Sequence, residues 1–362
     1  IKVTYNKNGT IKSKYIGVFD GGLPQGKGTL YTYDKNGKLL SKHVGKFYEG
    51  KPVGYGTYYA YDNNGKLKSK TYGYFDNGIV NGKATITNYY PNGKIMSIYK
   101  GRVKNGKPHG EGKLTAYHEN GKKKEEYSGT FKNGKFHGEG TLAKYDKDGN
   151  KTEEYTGNFI RGEYHGEGKY YTYYKNGKIK SKYEGAFKKG KKHGDGKYYE
   201  YDKNGILRYA YVGTYEKGKK HGHGSEFKYN AKGALVSKYL GEFNHDEKTG
   251  EGVMFVYNDS GKLIHKYIGS FLKGKFHGDG TLFSYTKDGK LKSKYAGLFR
   301  NGKKHGIGAM FVYNNEGKIA SKFMALFSNG MVKRVKQLQE GDGDIYQGEW
   351  KDGKKHGYGI YT

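Results

Sequence analysis

The chain has 362 residues with 67 Lys and Arg against 35 Asp and Glu, a net charge of +32; only 33% of residues are hydrophobic, with 62 Gly, 40 Tyr, 17 Phe, 4 Pro, 1 Trp and no Cys. This composition excludes a large aliphatic core, a disulfide or thiolate-metal framework and a cysteine nucleophile, and apolar runs such as Val253 to Tyr257 fall far short of the ~20 residues of a membrane-spanning helix. Low hydrophobicity with high charge often marks disorder, but 16% aromatic residues is too rich for that reading, so something periodic must organise the rings.

In chain order, Ile1 to Lys14 is a partial unit that enters at position 15 of a repeat; Ile1 is not Met, so a trimmed precursor or a longer array is expected. From Tyr15 the pattern Y-x-G-x-F, or a near relative, restarts at His43, Thr71, Tyr99, Tyr127, Tyr155, Tyr183, Tyr211, Tyr239, Tyr267, Tyr295 and Phe323, every 28 residues without an insertion. Counting the first residue as position 1, Gly fills position 3 from Gly17 to Gly297. Eight copies carry His-Gly at positions 11 and 12, as in His137-Gly138. Position 23 is Gly in each complete copy, often after Asn or Asp, as in Asn36-Gly37 and Asp148-Gly149.

Asn-Gly and Asp-Gly between alternating aromatic flanks signal a hairpin, because they accept the positive φ of a tight reversal. The Gly-Lys-x-His-Gly segment reads as the other turn, which predicts strands over positions 14 to 21 and 24 to 33. No helical period runs through either. The expected fold is all-β: an elongated single-layer antiparallel β-meander solenoid of about 25 strands, twisted or curled into a trough, on the order of 120 Å long at ~4.8 Å per strand. Residues 1–330 form the array, 331–345 an irregular insertion and 346–362 a final copy or cap. Met331, Val332, Val335 and Leu338 suit either a short helix or a strand, and this segment is the candidate cap or homodimer contact.

Side chains alternate across a strand. Odd positions collect Leu67, Ser69, Gly73 and Phe75, then Tyr59 and Tyr61 or Tyr171 and Tyr173; even positions collect Lys66, Lys68 and Lys70, Lys178, Lys180 and Lys182, or Lys290, Lys292 and Lys294. The expectation is one aromatic face and one lysine face. Position 3 is small because neighbouring rings lie across it.

Tyr127-Ser128-Gly129-Thr130-Phe131-Lys132-Asn133-Gly134-Lys135-Phe136-His137-Gly138-Glu139-Gly140-Thr141-Leu142 resembles a MORN repeat, and Tyr346 to Tyr361, with Trp350, is still more similar. The 28-residue length resembles the bacterial MORN-like variant of YwqK-type proteins. Departures are local: Gln25, Val53, Asn81 and Thr249 replace the His, Ala84 the second Gly and Asp246 the loop Gly. The resemblance implies a curled β-sheet used as a scaffold or binding module, in some members attached to an enzyme or associated with phosphoinositides.

Chemistry is mostly declined. Repeated His residues in adjacent copies stand roughly 9.6 Å apart, too far to share one zinc, and packing beside the turn with hydrogen bonds to backbone is the expected role. His221 and His223 are the one pair that invites a metal, and none is assigned. The acidic row Glu111, Glu139, Glu167, Asp195, Glu251 and Asp279 repeats too regularly for a catalytic site. No G-x-S-x-G or Walker loop occurs, so no catalytic residue and no cofactor is assigned, and only a pocket breaking the repeat near Asp246 or Met331 would revive an enzyme.

Two binding readings stay open. In the first, a protein or peptide docks on the aromatic concave face, with Tyr59, Tyr61, Tyr171, Tyr173, Tyr199 and Tyr201 as contacts. In the second, the lysines named above hold acidic lipid headgroups or an anionic polymer. Only five cations are Arg, which argues against sequence-specific nucleic-acid recognition. The location stays open: an exported or cell-surface bacterial one is slightly favoured, with peripheral membrane attachment as the alternative.

Overall fold

The computed structural model describes residues 1–340, 345–351 and 354–361. Those residues hold 27 strands and no helix. The protein is all-β, and within each of its two units the strands pair antiparallel with their neighbours in sequence order. The chain divides into two units, Ile1–Ile179 and Lys180–Thr362.

Each 28-residue copy in unit 1 supplies two strands, for example Lys123–Lys132 and Lys135–Tyr145. A two-residue turn joins them: Asn133 (φ 52°) and Gly134 (φ 81°) are both left-handed, which matches the twist of the flanking strands. The Gly134 amide donates to the Pro108 carbonyl of the preceding copy at 2.8 Å, so successive turns are stitched together. At the other end Asp146 reverses the chain. Its Oδ1 accepts from the Asp148 and Asn150 amides, both at 2.9 Å.

The second strand is longer than its sequence suggested. The His-Gly segment, expected as a turn, lies within it: Gly138 takes φ 65° as a bulge while still pairing with Phe159. Of the two alternatives for Met331–Glu340, a short helix or a strand, the segment is a strand, and it extends the array into the expected irregular insertion; it pairs with Ile319–Ser328 through two register shifts. Residues 341–344 of that expected insertion lie outside the described residues.

The core is a ring ladder on one face. In unit 1 Tyr127 is fully buried. Its ring meets Phe131 and Phe159 edge-on at 5.0 and 5.2 Å and stacks on Phe136 at 3.8 Å. In unit 2 Tyr267 repeats this arrangement with Phe271, Phe276 and Phe299. Each such pair adds about 0.5–1.5 kcal/mol beyond the area it buries. The Tyr127 hydroxyl donates to the Thr130 carbonyl at 2.8 Å, and Tyr155, Tyr211 and Tyr267 do the same three residues on. Burial pushes the Tyr127 and Tyr155 phenols up to about 12.

Candidate interaction surface

The two-residue turn decides which residues share a face. It pairs Lys132 with Lys135, three residues apart, so odd positions on one strand stand beside even positions on the next. Tyr127 thus faces Leu142, and the same rule puts Tyr59 opposite Lys42 and Lys70. The expected segregation of rings from lysines is overturned. Tyr59 and Tyr61 lie on the face away from the ring ladder, intermingled with lysine.

The other sequence-derived contacts follow suit. Tyr199 pairs with Lys182, and Tyr201 with Leu207. Tyr171 pairs with Glu154, its ring lies 6.5 Å from that of Tyr173, and Lys151 stands 5.5 Å from the Tyr173 ring. All six tyrosines are half-buried, not open. In the lysine triplets, Lys66, Lys68, Lys178, Lys180, Lys290 and Lys292 are exposed, whereas Lys70, Lys182 and Lys294 are half-buried.

Lys70 and Lys294, with other lysines at the same repeat position, form a ladder of their own with the rings, and Lys182 pairs with Glu184 at 2.8 Å. Lys42 lies between Tyr31 and Tyr59, at 5.9 and 5.3 Å, and Lys70 is 5.8 Å from Tyr59. In unit 2, Lys238 lies between Phe227 and Phe255, Lys266 between Phe255 and Phe283, and Lys294 between Phe283 and Phe311. Further along unit 1 the motif changes: Glu126 and Glu154 take the lysine position and pair with Lys123 and Lys151 at 2.7 and 2.5 Å.

A cluster that the sequence reading missed lies on the same face. Tyr55, Tyr72 and Tyr74 are 62%, 52% and 48% exposed. Tyr55 stacks on Tyr72 at 6.1 Å and meets Tyr74 edge-on at 5.7 Å. Tyr55 shares its strand face with Tyr59 and Tyr61, and Tyr72 and Tyr74 share theirs with Lys68 and Lys70. Two shallow clefts of about 370 and 420 Å³ flank Tyr55, one beside Lys83, Lys100 and Arg102 and the other beside Lys27 and Lys46. The available signal was the column: position 13 is acidic in six copies and Tyr in this one.

The histidines behave differently from expectation. His109, His221 and His277 each keep a buried Nδ1 without a hydrogen-bond partner. The backbone contact is instead made where an amide replaces them: Gln25 and Asn81 accept from the Glu49 and Asn105 amides at 3.2 and 2.8 Å. His221 packs against His245 with centroids 5.4 Å apart. Among the described residues no group of three or more His, Cys, Asp or Glu is placed to hold a metal, and no helix is long and apolar enough to cross a membrane.

The family model described as MORN repeat matches residues 15–37, 99–116, 127–149, 155–173, 183–201, 211–230, 239–256, 267–288, 295–310 and 346–362. A model described as MORN repeat variant matches 55–73, 110–133 and 166–184. No curated protein sequence matches the chain. Similar solved structures include the crystal structure of TcdB2-TccC3 without its hypervariable C-terminal region, at 12% identity and TM-score 0.18 over 97% of this chain and 20% of that one. Another is the Photorhabdus luminescens Tc holotoxin pore, at 13% identity and TM-score 0.19 over 96% and 20%. The chain spans about a fifth of the length of those chains, and spatial agreement at this level carries neither structure nor function across.

Proposed function

Because this chain belongs to the MORN repeat family, whose repeats are generally interaction or scaffold modules and typically non-catalytic, we propose that it is a non-catalytic scaffold docking an acidic protein or peptide segment on the tyrosine and lysine face of unit 1. The supporting observation is the exposed cluster of Tyr55, Tyr72 and Tyr74 beside Lys83, Lys100 and Arg102. Rings already packed on one another offer rigid apolar area with little side-chain freedom left to lose. The cations beside them steer an acidic partner and set its register. Composite lysine and ring sites recur one repeat apart, so weak contacts add through effective concentration.

A labelled peptide of alternating Glu and Leu tests this by fluorescence anisotropy. Tyr55→Ser with Tyr72→Ser should weaken binding at least roughly tenfold, the loss expected for two interface anchors, and part of the wild-type affinity should persist at about 0.3 M salt. Unchanged affinity in the double variant would reject the site.

A second reading rests on the unit 2 ladder. Among the described residues, Lys238, Lys266 and Lys294 stand beside rings with no carboxylate paired to them, which suits attachment to acidic lipid headgroups or an anionic polymer. Co-sedimentation with phosphatidylserine vesicles that vanishes at moderate salt and ignores the Tyr55 and Tyr72 changes would favour it.

A further inference from the structure

The repeat is broken on the ring-ladder face of unit 2, around Asp246. In unit 1 position 10 carries Phe136 and Tyr164, stacked on Tyr127 and Tyr155. In three successive copies of unit 2 the same position carries Lys192, Lys220 and Lys248, before the stacked ring returns at Phe276. A cleft of about 500 Å³ opens there, lined among others by Lys192, Tyr198, Glu200, Tyr209, Glu226 and Asp246.

Most charges in it are matched. Glu226, buried, accepts from Lys220 at 2.8 Å and from Tyr209 at 2.9 Å, and pairs with Lys248 at 2.6 Å. Glu200 accepts from the Tyr198 hydroxyl at 2.7 Å, and Asp246 Oδ1 from the Lys220 amide at 2.9 Å. Lys192 is different. Its Nζ lies 3.8 Å from the Tyr198 ring centroid, 5.0 Å from Tyr183 and 5.5 Å from Tyr215. Ring faces are its partners, in place of a carboxylate. They replace lost hydration only in part, so the ammonium is disfavoured against the amine. Burial accordingly draws Lys192 down to about 8, against the weaker pull of Glu200 and Asp246. About a tenth of it is then neutral at pH 7.

We propose that Lys192 is a covalent attachment site for a small aldehyde or ketone bearing an anionic group, held in the cleft as an imine. The amine lone pair attacks the carbonyl carbon and the C=O π pair moves to oxygen, which takes up one proton as the nitrogen gives one up. The resulting carbinolamine breaks its C–O bond and expels the hydroxyl, with the nitrogen's second proton, as water while the nitrogen lone pair forms C=N, with no change of oxidation state. The anionic group is favoured by the chain's net charge of +32 and by Lys228 on the cleft wall, whose ammonium stands 3.9 Å from Glu226 and is more exposed than that carboxylate's other lysine partners.

Lys304 is an internal comparator. It occupies the same repeat position, with Tyr295 and Phe327 at 5.0 and 5.8 Å, but its Nζ rests on Met310 Sδ at 3.7 Å. The experiment treats the full chain with glyoxylate and cyanoborohydride at pH 7.5 and follows each lysine by peptide mass spectrometry. Lys192 should react at least roughly tenfold faster than exposed Lys191 and faster than Lys304, with a rate that rises to half its maximum near pH 8. Lys192→Arg should remove that fast fraction alone. Reaction of Lys192 no faster than Lys191 would overturn the proposal, and this comparison needs only the wild-type chain. Equal labelling by glyoxylate and propanal would overturn the requirement for an anionic group.

Discussion

Gly140 and Gly129 are glycines because Tyr127 lies flat across the strand pair they form. A Cβ on Gly140 would come within 2.6 Å of Tyr127 ring carbons, and one on Gly129 within 2.6 Å of the Gly140 Cα. The ring cannot move away, since Phe131, Phe136 and Phe159 surround it. Gly140→Ala should therefore destabilise by about 2–4 kcal/mol, as overpacking of a closed core does, measured as a shift of the denaturant midpoint. His43 is the converse case: it takes the tyrosine's place over Gly45 and Gly56, and neither of its ring nitrogens finds a partner. Burial lowers its pKa from 6.5 to about 4. The unfolded chain thus binds the proton more readily, so the stability contribution is complete above about pH 6.5 and is lost as pH falls toward 4. His43→Tyr should raise the melting temperature and abolish this part of the acid sensitivity, worth no more than about 3 kcal/mol. Melting curves at pH 7 and pH 5 check it: an equal pH 7 to pH 5 drop in both proteins would refute it.

At the scale of the strand, most of the pattern was legible and its handedness was not. The 28-residue period, the Tyr-x-Gly-x-Phe ladder and the need for small residues beneath the rings all follow from spacing within one strand. Which rings join that ladder depends on how one strand is set against the next. The two-residue turn at Asn133 and Gly134 reverses parity between neighbours, so Tyr59 falls beside Lys42, not beside the Tyr127 type of ring. Neither could the Lys192 surroundings be read from one copy, because Tyr183, Tyr198 and Tyr215 come from different strands. Glu226 shows the same cross-strand dependence, with Lys220 on its own strand and Lys248 on Glu247–Tyr257. Burial acts to raise its carboxyl, but the bonds from Lys220 and Lys248 outweigh that and hold it at about 2. Its contribution is complete above about pH 4.5 and fades as pH falls toward 2. Glu226→Gln should leave two half-buried ammonium groups short of an anion and cost about 3 kcal/mol at pH 7, a gap that chemical denaturation should show narrowing below pH 4.5.

For the molecule as a whole, a repeat held mainly by its neighbours makes length a tolerant variable and phase an intolerant one. Pairing runs between consecutive strands, so each copy is stabilised by the two beside it, as in a one-dimensional array. Removing residues 127–154 joins Glu126, at position 28, to Tyr155, at position 1, and leaves every remaining ring over its glycine pair. Removing 127–153 instead keeps Glu154 as an extra residue ahead of Tyr155. That single step sends the side chains before it to the opposite face or forces a bulge into the ladder. The 28-residue deletion should therefore unfold cooperatively, with a β-sheet circular dichroism spectrum like that of the full chain. The 27-residue deletion should lose about 2 kcal/mol or more relative to it, in the range of a disrupted core, and bind a hydrophobic dye more strongly. If both deletions were equally stable, strand phase would not be what holds the tyrosine ladder together.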